Sequence, residues 1–423
     1  MKRKLNIDEQ MLTLSRKDGT GGDIKKDPDD FIVREITGKG MILREGIKFT
    51  ADVLGEEEVP EGKFTTFVLQ KKGWETIRAL LSIAKMLRRG RKSIGYAGVK
   101  DRASVSTQLA SIYGVSPADL ERIRIKDISI NGAWKSNGVD MGSNIGNSFA
   151  IRVLGATAGR AEGILDELDG MFPNYFDSQR FGYRLNNFSV GLHLIKGEFE
   201  AAVMDFLTNT KNERNPESVE ARERLAERHD FREAENYFPR YLRNEIAVIR
   251  YMAQYDNYVN SLRVLPRGIT LMFVHAVESL IFNAALENRV RENVFDSERS
   301  CGSNAYGFPD IGVAAEKGEG FRLGSIVGYD TDERVLGEQE KEAMETLGIT
   351  KDAFKVKGMP ELSMRGTYRP LLSPFKDLSF AEQDGTIALG FSIPSGAYAT
   401  VLVNEVTKAS GTMLEEIAPE LCK

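Results

Sequence analysis

The chain has 423 residues, 41% hydrophobic and 28% charged, with a formal net charge of −5. That length predicts two or three domains and a core that needs no disulfide or metal staple. Two distant cysteines, Cys301 and Cys422, and three histidines, His193, His229 and His275, leave little for a zinc site or a histidine-based triad.

The polar start MKRKLNIDEQ has no apolar run behind it, so no signal peptide is expected. No window approaches the ~18 apolar residues of a membrane span, and the cysteine usage suits a reducing cytoplasm. Residues 1–24, glycine-rich from Gly19 to Gly22, read as an arm or loop. Asp30 to Ile36 alternates like a strand, and Phe64 to Leu69 reads as a second. Trp74 to Arg89 is predicted helical, with Trp74, Ile77, Leu80, Leu81, Ala84 and Leu87 on one face and Gly90 as its stop. Ile94 to Val99 is short and apolar, and Phe149 to Leu154 is another strand. Helices mixed with non-consecutive strands predict an α+β domain with a largely antiparallel sheet.

Residues 190–295 read almost entirely as helix. The charged stretch Lys211 to Glu235 is read as a solvated face, and Leu271 to Leu286 as a core helix. His193 and His275 sit in apolar helical patterns and read as satisfied helical histidines. Residues 300–358 look loop-like with short elements. A strand returns at Leu389 to Ile393, then a helix from Tyr398 to Ala409 that Ser395 or Gly396 is placed to cap. The changes of character near 186 and 360 divide the chain into 1–185, a helical insertion at 186–359, and 360–423.

Chemistry concentrates in Gly95 to Gln108, GYAGVKDRASVSTQ. There Asp101 stands between Lys100 and Arg102, and adjacent cations keep a partly desolvated carboxylate ionised and competent as nucleophile or base. Arg88, Arg89, Arg91, Lys92, Lys100 and Arg102 form a basic run able to hold a phosphodiester backbone. A charged surface loop is the plainer alternative. The segment PNYFDSQRFG, Pro173 to Gly182, sets aromatics beside Asn174, Gln179 and Arg180, the residue types that stack on and read an unstacked base. No glycine cluster has P-loop or dinucleotide spacing, so a nucleotide cofactor has little support.

Five segments in order resemble the TruD family of tRNA pseudouridine synthases: KKDPDDFIVREI, YAGVKDRASVSTQ, PNYFDSQRFG, FVHAVESLIFNAALENRV and FSIPSGAYATVLVNEV. The resemblance implies a pseudouridine synthase core with a mixed, largely antiparallel sheet, interrupted by a mostly helical TRUD insertion. It implies that Asp101 is the catalytic aspartate and Lys25 the cation that pairs with it. Phe176 becomes the aromatic that stacks on the target base, and Asn174 its neighbouring amide. Arg180 joins the basic run as a candidate RNA contact. The implied substrate is uridine 13 of tRNA, with no cofactor, no metal, no membrane and no obligate protein partner. Glu278 and Asp177 depart from the family pattern at positions not expected to be chemical. An RNA-binding or chaperone protein without catalysis is the alternative from another class. A hydrolase would need a second acid that the Asp101 motif lacks.

Overall fold

The computed structural model describes residues 12–316 and 319–409. Cys422 and the first eleven residues lie outside them. The largest sheet runs in the order Lys376–Gln383, Thr386–Pro394, Gly146–Leu154, Phe31–Ile36, Val105–Tyr113, Phe64–Lys72, Ile128–Ser136, with Ile94–Tyr96 also paired to Val105–Tyr113. The sheet is mixed and largely antiparallel, as expected from the sequence. Its one parallel pair joins Phe31–Ile36 to Val105–Tyr113, with Ile32 opposite Val105.

That parallel pair determines where the polar motifs meet. Parallel neighbours begin at the same edge of a sheet, so the residues preceding each strand emerge side by side. Lys25 lies just ahead of the first strand and Asp101 just ahead of the second. The antiparallel strand Phe64–Lys72 delivers its last residues to the same edge, with Lys72 opposite Val105. Val105–Tyr113 is buried at every position except Tyr113, despite carrying serines, a threonine and Gln108. The amide of Gln108 is satisfied inside: it donates to the Gly98 carbonyl at 2.9 Å and accepts from Thr76 Oγ1 at 2.8 Å.

Residues 187–292 are mostly helical, as predicted. Helix Arg267–Glu292 serves two cores. Phe273, Val274, Val277 and Ile281 pack among the surrounding helices. Phe282, Leu286 and Val290 pack on the sheet with Phe149, Phe391 and Val403. A helix shared between two cores is apolar nearly all round. This corrects the hydropathy expectation: by length and composition this helix can cross a membrane, with mean hydropathy 1.7 over 18 residues, though 67% of that window is buried here.

Other readings are also corrected. The helix expected over 74–89 is Thr76–Met86; it is capped by Leu87, and Arg88 turns left-handed at φ +53° before Gly90 is reached. Residues 300–358 are more ordered than expected, contributing three strands of a four-stranded sheet and helix Glu338–Leu347. Strand Pro309–Ala314 in that sheet is short and mostly exposed, and its alternating Ile311 and Val313 are interrupted by Asp310 and Gly312, so it reads as loop. The final helix, Ala399–Thr407, has Tyr398 as N-cap with no side-chain bond, while the Ser395 amide donates to the Ile145 carbonyl instead. The described part of the N-terminal arm is docked rather than free: Thr20 N donates to Val406 O at 3.0 Å, and Leu14 and Ser15 amides donate to Glu405. Within Lys211–Glu235, Arg222 is buried and paired with Glu245 at 2.7 Å, an exception to the solvated face.

Candidate active site

Asp101 lies at the sheet edge where the parallel strands begin. Its carboxylate Oδ2 receives Lys25 Nζ at 3.1 Å and Gln179 Nε2 at 3.0 Å. No described residue donates to Oδ1, and 40% of the side chain remains exposed, so one oxygen is held while the other is presented. Burial pushes this carboxyl up. The Lys25 charge, the Gln179 and Lys25 hydrogen bonds and the Lys71 charge outweigh burial and hold it below the ordinary carboxylate value. Asp101 is therefore an ionised, partly desolvated carboxylate, the state required of a nucleophile or base.

The loop is fixed from beneath. Lys71 is fully buried and donates to the carbonyls of Asp101 at 2.9 Å and Lys100 at 3.3 Å. Burial pushes its ammonium down to about 8, against the opposing pull of Asp101. Ser104 Oγ also donates to the Asp101 carbonyl, at 2.8 Å. Lys25 is at φ +60°, uncommon for a residue with a side chain, and its ammonium lies 4.4 Å from the Phe31 ring centroid.

The cations expected to flank Asp101 are thus only partly the ones that do. Lys25 does, over 76 residues of separation. Lys100 does not: it is buried and paired to buried Glu35 at 2.9 Å, which removes it both as a partner of Asp101 and as a phosphate contact. Arg102 is exposed beside the site. Arg88, Arg89, Arg91 and Lys92 are exposed at the C-terminal end of helix Thr76–Met86, whose N-terminal Thr76 bonds Lys100. At 1.5 Å per residue, the 11-residue helix is about 16 Å long, and Arg88 lies beyond its far end. They form a patch remote from Asp101, and Arg89 also donates to the Gly114 carbonyl.

The second wall is the Pro173–Gly182 segment. Strand Met171–Pro173 pairs with Leu372–Pro374, and a 3-10 turn, Ser178–Phe181, presents Gln179 to Asp101. Buried Asp177 starts that turn, accepting from Ser178 N at 2.6 Å and from Thr400 Oγ1 at 2.7 Å. Its departure from the family pattern thus ties the turn to the last helix. Phe176 is clamped by Asn283, which accepts from its amide and donates to its carbonyl, both at 2.8 Å. The Phe176 ring is covered: Arg369 lies 4.1 Å and Arg180 5.0 Å from its centroid, with Phe282 and Tyr398 edge-on. Asn174 is buried and engaged at both ends, donating to Pro370 O at 3.0 Å and accepting from Arg369 at 2.6 Å. Phe176, Asn174, Arg180 and Arg369 line a cleft of about 480 Å³ together with His275, Glu278, Arg365 and Tyr368. Glu278, at a position not expected to be chemical, borders this cleft, with its carboxylate 2.7 Å from His275 Nδ1. His193 is likewise paired, 2.6 Å from Glu198.

Gln179, Lys71 and Arg369 are the site residues that sequence reading did not assign. Its motif marks Gln179 as an amide able to read a base edge, whereas it bonds Asp101. The pair Lys71-Lys72 closes an apolar strand, a signal that marks a sheet edge but not what it faces. Among the described residues no cluster of metal-ligating side chains occurs.

Comparison with known proteins agrees with this geometry over nearly the whole chain. The profile of the family described as tRNA pseudouridine synthase D (TruD) matches residues 7–406. A protein of Methanopyrus kandleri named Probable tRNA pseudouridine synthase D is 34% identical over 83% of this chain and 87% of its own. One of the same name from Methanococcoides burtonii is 28% identical over 95% of this chain and 97% of its own. A crystal structure from Methanosarcina mazei, assigned to tRNA pseudouridine synthase D (TruD), superposes with a TM-score of 0.71 at 28% identity, covering 94% of this chain and 96% of that one. The fold, the match across the length of the chain and these relatives together establish that the chain belongs to the tRNA pseudouridine synthase D (TruD) family.

Proposed function

We propose that this protein converts uridine in tRNA, at position 13, to pseudouridine, with Asp101 as the catalytic carboxylate and without a cofactor. The observation that carries the reading is the Asp101 carboxylate itself, ionised, with one oxygen held by Lys25 and Gln179 and the other open. The reaction breaks the N1–C1′ bond, turns the uracil and joins C5 to C1′. It is redox-neutral and loses no atom, so one carboxylate and a site that retains the detached base suffice. Oδ1 of Asp101 attacks C1′, stabilises positive charge there, or removes the 2′ proton. Lys25 keeps the carboxylate charged and aimed throughout. The target must first leave its stack, which costs a few kcal/mol. Phe176 is the proposed platform for the uracil, worth about 1–3 kcal/mol if stacked, and the guanidinium groups over its ring must make way for the base. Asn174 is the proposed neighbouring contact. Arg88, Arg89, Arg91, Lys92, Arg102 and Arg180 are the proposed phosphate contacts, and residues 186–359 are the proposed insertion in the catalytic core. A cytoplasmic location accompanies this reading.

The experiment is incubation of the purified protein with unmodified tRNA transcript, without added metal or cofactor, followed by carbodiimide-blocked reverse transcription. A new stop at position 13 is expected. Binding of tRNA with no stop anywhere favours an RNA-binding protein without chemistry.

A further inference from the structure

Two arginines at the cleft have no counter-ion among the described residues. Among the described residues, Arg180 makes no ion pair, no hydrogen bond from its guanidinium is found, and its Nε is buried without a partner. Arg369 spends Nε and one terminal nitrogen on neutral oxygens only: Asn174 O at 2.9 Å, Asn174 Oδ1 at 2.6 Å and Gly396 O at 2.9 Å. Its other terminal nitrogen, Nη1, donates to nothing described. A Cβ at Gly396, whose φ of +86° favours glycine, would stand 3.7 Å from that nitrogen, so the bare glycine leaves it open. The one carboxylate lining the cleft, Glu278, is already taken by His275.

Partly desolvated cations at this density are costly unless an anion arrives. Burial pushes the Arg369 guanidinium down to about 10, and Arg180 adds to that push. Guanidinium forks match the paired oxygens of a phosphodiester. The location is also specific. Gln179 and Arg180 are successive residues of one turn; the first bonds Asp101, and the second lies over Phe176 and lines the cleft. A nucleotide whose ribose meets Asp101 therefore carries its adjoining phosphate toward Arg180 and Arg369.

We infer that Arg180 and Arg369 form a binding site for the RNA phosphate adjoining the modified nucleotide, separate from the Arg88–Lys92 patch. This rests on the RNA reading above and deepens it. The anion is a backbone phosphate, and the same chemistry would accept free phosphate.

The test uses full-length protein and tRNA assembled from synthetic halves, each carrying one neutral methylphosphonate linkage at successive positions around the target uridine. With wild type, one linkage beside the target is expected to weaken binding about tenfold. Arg180→Met should bind all-phosphate tRNA about tenfold more weakly and suffer no further loss from that linkage. Arg180→Lys should restore part of the affinity and of the linkage effect. An Arg88→Met variant should keep the full linkage penalty. Inorganic phosphate at millimolar concentration should compete weakly with wild type. If the linkage costs Arg180→Met as much as wild type, or costs wild type nothing, the site is refuted while the RNA reading stands. Failure of wild type to bind tRNA at all refutes both.

Discussion

Two buried charge clusters in this molecule differ in their balance. In the helical region, Arg222 is fully enclosed and its charge is matched: Glu245 lies at 2.7 Å, Glu213 at 3.6 Å, and the carbonyls of Phe206 and Leu207 accept from it, although its Nε, like that of Arg180, has no hydrogen-bond partner among the described residues. Arg184 stands 3.9 Å from the same Glu245. At the sheet edge the balance fails. Lys25 and Lys71 face Asp101, with Asp177 also in reach of Lys25 and Glu75 of Lys71, whereas Arg180 and Arg369 have no carboxylate partner among the described residues. A matched cluster holds helices together. An unmatched one raises the energy of the empty protein and is relieved by a polyanion, which is the electrostatic expectation for an RNA site.

Substitutions in the two clusters separate stability from turnover. Lys25→Met should cut single-turnover rate about 10²- to 10³-fold with little change in tRNA affinity, read by quenched-time-point mapping. An unaltered rate would mean that Asp101 is aimed by other groups. Arg222→Met should act oppositely. It leaves Glu245 buried without its partner and should lower stability by about 3–5 kcal/mol in denaturant unfolding, with normal turnover per folded molecule. A rate defect without lost stability would move the helical cluster into the chemistry.

Gln179→Ala is expected to cost roughly three- to tenfold in rate at neutral pH and to shift the acid limb of the pH–rate profile upward. The sign follows from the folded-state shift. Asp101 is held below its ordinary value, so its active ionised form is present above that pKa and is lost as pH falls through it. Deleting a hydrogen bond that lowers the pKa raises the point of loss. A slower enzyme with an unmoved limb would leave Gln179 a purely packing role. The smallest effect belongs to Arg88→Glu with Arg89→Glu, which should weaken tRNA binding and flatten its salt dependence by about two counterions, without touching the rate at saturation. Unaltered affinity would place the RNA path elsewhere.

How far the sequence could be read follows from what each contact depends on. Asp101, Phe176 and Asn174 lie in contiguous motifs, and the partnership of Lys25 with Asp101 came through the family pattern. Lys71, Gln179 and Arg369 were hidden because their roles exist only once a parallel strand pair and the 171–173 to 372–374 pairing bring three distant segments to one edge. Lys100 misled for the same reason: adjacency in the chain suggested a partner for Asp101, while the loop between strands Ile94–Tyr96 and Val105–Tyr113 turns it inward to Glu35. Strand Lys376–Gln383 was missed because it is largely exposed and polar. The alternation at Phe31–Ile36 was legible because one face of it is buried.

The most direct test is a single-turnover comparison of wild type and Asp101→Ala on the same unmodified tRNA, with binding measured in parallel. The account predicts pseudouridine from wild type alone, with nearly equal tRNA affinity for the two proteins. Pseudouridine formation by Asp101→Ala at a rate near that of wild type would contradict it.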